Sequence, residues 1–212
     1  MSSRQDNIDT SSRILSGFKE IEKWHPHKML SHLMLLGSFL VLIFLLITFT
    51  VEAVNYRDFL ATIKLPKFFI IATIVILISG LFKNEILTSY GNDDIETIRK
   101  IFFGKFLFGT VFLLFQFVGW LELVFQGLTF KNDVIGTFLF LITGYHMLHV
   151  LTCLIYITIF LYRSKDVHID PVSKLLYFTA PYERVKLEIF GTFWNFIGVS
   201  WIFLFIWLVF LM

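Results

Sequence analysis

The sequence predicts an all-α membrane protein, a bundle of five transmembrane helices with its N-terminus in the cytoplasm and its C-terminus outside. Three observations predict it. Hydrophobic types make up 57% of the 212 residues, with 27 phenylalanines and a mean hydropathy of +0.77, whereas soluble domains are about 45–50% apolar. The apolar residues gather into runs long enough to cross a bilayer core of about 20 residues. Lysine and arginine fall overwhelmingly on one side of those runs.

The runs are Met29–Val51, Leu65–Phe82, Phe102–Phe125, Ile135–Tyr162 and Leu187–Met212. The second is the shortest, yet it carries no charge between Lys67 and Lys83. Between the runs lie turn-forming polar stretches, Gly91-Asn92-Asp93-Asp94, Lys131-Asn132-Asp133 and Asp170-Pro171. Fourteen of the 18 basic residues lie on the N-terminal side: in the N-terminal arm, in the links between runs two and three and between runs four and five, and, as Lys105, just inside run three. The opposite side holds only Arg57, Lys64, Lys67 and Lys131. Because cytoplasmic loops carry the excess of Lys and Arg, the N-terminal side is assigned to the cytoplasm.

Two regions follow from this division: a polar arm over residues 1–28 and a membrane domain over residues 29–212. The arm lacks the short apolar core and small-residue cleavage site of a signal peptide. Ile14, Leu15, Phe18 and Ile21 share one helical face after the cap candidates Ser11 and Ser12. They suggest a short helix lying on the membrane surface, as an alternative to a disordered tail. A formal charge of +2 with no basic run excludes a nucleic-acid surface. With Cys153 as the only cysteine, neither an intrachain disulfide nor a thiolate cluster can form.

Polar groups inside apolar spans are the informative ones, since they face the bundle interior. His146 and His149, at i and i+3, point to one side of span four. They could ligate haem or a metal, but His32 sits at another depth and span five offers only Asn195 and the membrane-edge Glu188. Hydrogen bonding between helices is the reading taken for them. By depth, Gln116 of span three should bond His146 or His149. Glu122 is expected to be a hydrated or lysine-paired edge residue. Glu188 is expected to favour the N-terminus of its helix. Cys153 reads as a small hydrophobe, and Trp120, Trp194, Trp201 and Trp207 as interface or packing residues. No nucleophile with its base, carboxylate pair or phosphate-binding glycine loop appears, so no catalytic residue, cofactor ligand or metal ligand is assigned.

Thr143-Gly144-Tyr145-His146-Met147-Leu148-His149-Val150 resembles the T-G-[FY]-H-G-L-H-V signature of subunit III of the haem-copper terminal oxidases. Glu188, Trp194, Asn195 and Trp201 stand in register with that family's next motif, in which a glutamate precedes an aromatic cluster. Gln116 with Glu122, Gly136, and the Leu65-Pro66 entry to span two are also similar to family positions. The resemblance runs over residues 28–212 and is closest in the last two spans. It implies a five-helix bacterial form lacking the first two of the family's seven helices, in the bacterial inner membrane. It further implies a non-catalytic role in aerobic respiration: packing on oxidase subunit I, binding phospholipid, and supporting stability and proton uptake. Haem and copper would lie in partner subunits, with no nucleic acid involved. Met147, Asn195 and Gly198 depart from the family's glycine, histidine and aspartate, and span one has no acidic residue between Lys28 and Val51. These departures mark a reduced, divergent form and argue against a carboxylate-dependent role. Alternatives are a subunit-III-like accessory protein of nitric oxide reductase, or a haem-binding or transport membrane protein.

Overall fold

The computed structural model describes residues 26–81, 85–130 and 134–212. The expected surface helix around Ile14–Ile21 and the Lys131-Asn132-Asp133 turn lie outside the described residues. Among the described residues the chain forms eight helices: α1 (Pro26–Asn55), α2 (Arg57–Leu60), α3 (Lys67–Leu81), α4 (Ile86–Gly91), α5 (Ile95–Phe125), α6 (Val134–Ile169), α7 (Pro171–Thr179) and α8 (Pro181–Leu211). Four of them, α1, α5, α6 and α8, are long and apolar enough to cross a membrane. The fifth apolar helix, α3, has 15 residues. At 1.5 Å per residue it spans only about 22 Å, short of a hydrocarbon core of about 30 Å.

Three helices overrun the apolar runs of the sequence at the end expected in the cytoplasm. α5 starts at Ile95, α6 ends at Ile169 and α8 starts at Pro181. Local chemistry sets these ends. Asp94 caps α5, accepting from the Thr97 amide (3.0 Å) and hydroxyl (2.6 Å). Asp170 caps α7 through the Ser173 amide at 2.9 Å, with Pro171 in the first turn. Pro181 opens α8 in the same way. At its other end α5 closes on Gly127, whose φ of +92° suits glycine. There the Leu128 amide reaches back to the Leu123 carbonyl at 3.1 Å.

The buried stripe of α5 runs Ile95, Ile98, Phe102, Lys105, Gly109, Phe112, Gln116, Gly119, Leu123. Its alternating steps of three and four residues make a single seam against neighbouring helices. Small residues on that seam admit large partners. A methyl group at Gly119 would overlap the Phe69 ring of α3, and one at Gly109 would press on Leu154 and Trp194.

Contacts fix the relative directions. α1 and α8 are parallel: Lys28 pairs with Glu188, Phe39 meets Phe196 at 6.5 Å, and Trp207 bonds Thr50 at 3.0 Å. α6 runs antiparallel to α8, since Tyr156 stacks on Phe190 while His146 reaches Ile197. α5 is antiparallel to α6, with Phe102 on Phe160 and Trp120 bonded to Thr143. α3 is antiparallel to α5, because Gln126 holds Lys64 while Phe115 stacks on Phe68. Thus α1, α5 and α8 point one way, and α3 and α6 the other. Tyr90 of α4 locks the α7–α8 corner, its hydroxyl 3.1–3.2 Å from the carbonyls of Tyr177, Phe178 and Ala180.

Candidate functional site

His146 sits in the middle of the bundle, 3% exposed. Its ring lies against Phe112 of α5 (5.6 Å between centroids) and Trp201 of α8 (5.0 Å). Nε2 is 3.0 Å from the Ile197 carbonyl. A carbonyl can only accept, so Nε2 carries the proton and donates. Nδ1 is buried with no hydrogen-bond partner.

His149, one turn along α6, faces a different helix. Its Nδ1 lies 2.8 Å from the Tyr145 carbonyl and therefore donates, leaving Nε2 to accept from the Ser38 hydroxyl of α1 at 2.8 Å. Tyr145 also donates to the Ser38 hydroxyl oxygen, at 3.1 Å. The two histidines of the motif thus bind α6 to two neighbours, α8 and α1. His32 is elsewhere on α1, bonded to the Lys28 carbonyl at 2.7 Å. Among the described residues no three His, Cys, Asp or Glu side chains converge as metal ligands.

Gln116 corrects a sequence expectation. Its depth agrees with the reading: Phe112, one turn before it, touches His146. Gln116 is fully buried, yet neither amide atom has a hydrogen-bond partner, and no bond to His146 or His149 forms. His146 Nδ1 is itself left without a partner, yet the Gln116 amide does not bond it, so matching depth does not decide pairing.

Glu188 needs a second correction. α8 begins at Pro181, which places Glu188 in the second turn and outside the reach of the helix end. Its carboxylate instead pairs with Lys28 of α1 and with Arg184, 3.4 Å away on the same helix. Glu122 serves the helix terminus that Glu188 does not. Its carboxylate faces the Phe68 amide in the first turn of α3 at 3.5 Å. Next to it Gln126 brackets Lys64, accepting from its amide at 2.7 Å and donating to its carbonyl at 3.0 Å. Sequence reasoning misses Gln126, which carries no motif signal.

The tryptophans do more than fill space. Trp120 donates to Thr143 (2.9 Å), Trp201 to Thr73 (2.9 Å) and Trp207 to Thr50 (3.0 Å), each across a helix pair. Every one of these threonines also donates to the carbonyl four residues back, at 2.7–2.8 Å. The hydroxyl is thus used both as donor and as acceptor, which suits an interior without water. Trp194 is buried under the Lys105 ammonium, 5.1 Å from the ring centroid. Lys105 itself is only 3% exposed. Gly144 receives the Trp120 ring at ordinary contact distance. Gly136 is packed against Leu128 and the Thr129 backbone, and Cys153 is buried. Asn195 is exposed on α8, while Trp194 and Ile197 beside it point inwards. Among the polar residues of the two motifs, it alone is turned outwards.

Along the seam of α5 and α6 runs an apolar groove holding a cavity of about 450 Å³, lined by Leu113, Phe117, Trp120, Phe140 and Leu148 among others. Among the described residues, nothing in this arrangement assembles a reaction centre. His146, His149, Trp120, Trp201 and Trp207 use their polar groups to join helices.

No family model matches the chain. Curated relatives do. The chain is 29% identical over 143 residues to cytochrome c oxidase subunit 3 of Corynebacterium diphtheriae, covering 67% of this chain and 64% of that one. It is 30% identical over 149 residues to cytochrome c oxidase subunit 3 of Schizophyllum commune, covering 69% and 49%. A third relative, cytochrome bo(3) ubiquinol oxidase subunit 3 of Buchnera aphidicola, is 23% identical over 154 residues, covering 73% and 74%. The matched region thus spans about half to two thirds of the length of the first two relatives. Relatives of both cytochrome c and quinol oxidases join the two registered motifs of α6 and α8, and the chain belongs to the subunit III family of the terminal oxidases.

Proposed function

We propose that this chain is a non-catalytic subunit III of a proton-pumping haem-copper terminal oxidase in a bacterial inner membrane. In this role it packs against the catalytic subunit I, binds phospholipid, and supports the stability and proton uptake of the complex. Haem and copper belong to the partner subunits. The observation that carries the reading is the use of the motif side chains. His146 and His149 hold α8 and α1, and Trp201 holds α3, so the chain contributes a scaffold and no chemistry. The apolar groove between α5 and α6 offers a seat for acyl chains.

The same reading has five helices crossing the bilayer, the N-terminus cytoplasmic and the C-terminus outside. Helix directions support it. α1 and α5 point the same way, so the chain between them must return across the bundle, and α3 is the segment that does so. Its shortness is offset where Glu122 and Gln126 hold its entry. Lys28, Arg99, Lys165 and Arg184 gather at the end assigned to the cytoplasm.

The test is to tag the chain, extract it from its native membrane in mild detergent and record the visible spectrum of the purified material. A haem spectrum in fixed proportion to the chain, carried by a larger membrane protein, is expected. A stable, haem-free monomer obtained under conditions that keep other respiratory complexes intact would overturn the proposal.

A further inference from the structure

At the centre of the bundle, Nδ1 of His146 and both amide atoms of Gln116 are buried with no hydrogen-bond partner among the described residues. The two residues are 3% and 0% exposed. Contacts place them at one depth. Phe112 of α5 lies against His146 at 5.6 Å, and Trp120 of α5 donates to Thr143 of α6 at 2.9 Å. Gln116 stands one turn from each, level with the turn of α6 between Thr143 and His146. Rotation agrees with depth. Phe112, Gln116 and Gly119 share the buried seam of α5. The first meets Trp201 of α8 at 5.1 Å, and the last receives the Phe69 ring of α3. Phe69 in turn meets Trp201 at 6.0 Å, and His146 packs on the same indole at 5.0 Å. The Gln116 amide and the His146 ring therefore enter one interior region, walled by Phe69, Phe112 and Trp201.

The chemistry of the three atoms selects what joins them. Nε2 of His146 donates to the Ile197 carbonyl at 3.0 Å, so Nδ1 carries only a lone pair and needs a donor. The amide oxygen needs a donor too, and the amide nitrogen needs an acceptor. Two acceptors and one donor are the complement of a single water molecule, with its two O–H groups and its lone pairs. A primary amide holds its carbonyl beside its syn N–H, so one water can serve both and still aim its second O–H at Nδ1. That makes the three hydrogen bonds typical of a buried water. A cation does not fit, because the amide N–H would face it. Nor is any Asp or Glu buried among the described residues to balance its charge.

We infer that Gln116 and His146 hold one structural water between them. The water links α5 to α6 and, through the Ile197 bond, to α8. Gln116, which no direct bond explains, is then the second ligand of the water that the motif histidine binds. The inference goes beyond the scaffold role proposed above and holds whichever complex the chain belongs to.

Solid-state NMR of the full chain, labelled with nitrogen-15 histidine and placed in phosphatidylcholine bilayers, tests it. The His146 signals are assigned by their loss in His146→Phe. In the parent chain, magnetisation from water protons should reach His146 Nδ1, and that nitrogen should show the shift of a hydrogen-bonded acceptor. Gln116→Met keeps the length of the side chain without its amide, and there the transfer should be lost. Gln126→Met, at the outer rim, should leave it unchanged. In unfolding titrations, Gln116→Met and His146→Phe should be coupled by about twofold or more in the equilibrium constant, although the two side chains share no hydrogen bond. A parent Nδ1 with the shift of a free lone pair would overturn the inference. So would a hydrogen-bonded Nδ1 that receives nothing from water, since the Gln116 amide would then bond it directly. Transfer that persists in Gln116→Met, or an Nδ1 shift that follows the concentration of sodium or potassium, would overturn it as well. Should Gln116→Met fail to fold, the measurement on the parent chain decides alone.

Discussion

The middle of the bundle and its rim are held together by different chemistry. In the middle, the links between helices are neutral: His146 to Ile197, His149 to Ser38, and Trp201 to Thr73. At the rim the groups are charged: Lys28 of α1 pairs with Glu188 of α8, while Lys186–Glu183 and Lys100–Glu96 are ion pairs within α8 and α5. The difference follows from the dielectric. A neutral donor and acceptor exchange one partner for another at low desolvation cost, whereas an ion pair in hydrocarbon must overcome the loss of hydration of both ions. At the rim, water shares that cost, so the pairs contribute little to stability, and the one between Lys28 and Glu188 aligns the ends of α1 and α8. The chain therefore uses polarity for cohesion in the centre and for registration at the edge.

That contrast can be broken by substitution. The largest effect is expected for His146→Ala, which removes a ring packed between Phe112 and Trp201 together with its bond to Ile197. It should cost about 2–4 kcal/mol, read as a fall in the thermal midpoint of the purified protein in detergent. A midpoint unchanged from the parent would show that the centre does not depend on this histidine. Next comes Gly119→Val, which drives a branched side chain into Phe69 and pushes α3 off α5. About 1–3 kcal/mol is expected, and disulfide trapping between cysteines placed on the two helices would report the separation. Trp201→Phe keeps most of the ring but deletes the N–H to Thr73, for a loss of about 0.6–1.7 kcal/mol. The smallest effect is predicted for Lys28→Gln at the rim, below about 1 kcal/mol and shrinking further as salt is added. A Lys28→Gln loss as large as that of His146→Ala would erase the distinction between centre and rim.

Part of this architecture is legible in the amino-acid sequence. The four long spans and the side on which the basic residues cluster are sums over many residues, and sums tolerate local error. Their ends are less legible. α5, α6 and α8 continue past the apolar runs because Asp94 and Pro181 are good helix-starting residues and the last turns of α6 are polar, all outside the apolar segments where hydropathy has a signal. Gln116 shows the limit more sharply. Its burial and depth can be read by counting from the span ends. Its partner cannot, because the rotation of α6 aims His146 at α8 and His149 at α1. Hydropathy puts Glu188 at a helix terminus only because the apolar run begins at Leu187, well past the Pro181 that opens α8. Gln126 is invisible, since a glutamine at a span end has no signature until the loop before α3 folds back upon it.

By itself the sequence determined the solvent in which this protein lives, most of its crossing segments, and the motifs that tie it to the subunit III family. These depend on transfer free energies of single residues and on short spacings within one helix, both of which are local. Only the tertiary structure decided which helices the two histidines join, that α3 closes the path from α1 back to α5, and that Gln116 and His146 are left with unpartnered atoms at one depth. Those outcomes depend on the rotation and depth of helices far apart in the chain, and packing of the whole bundle sets both.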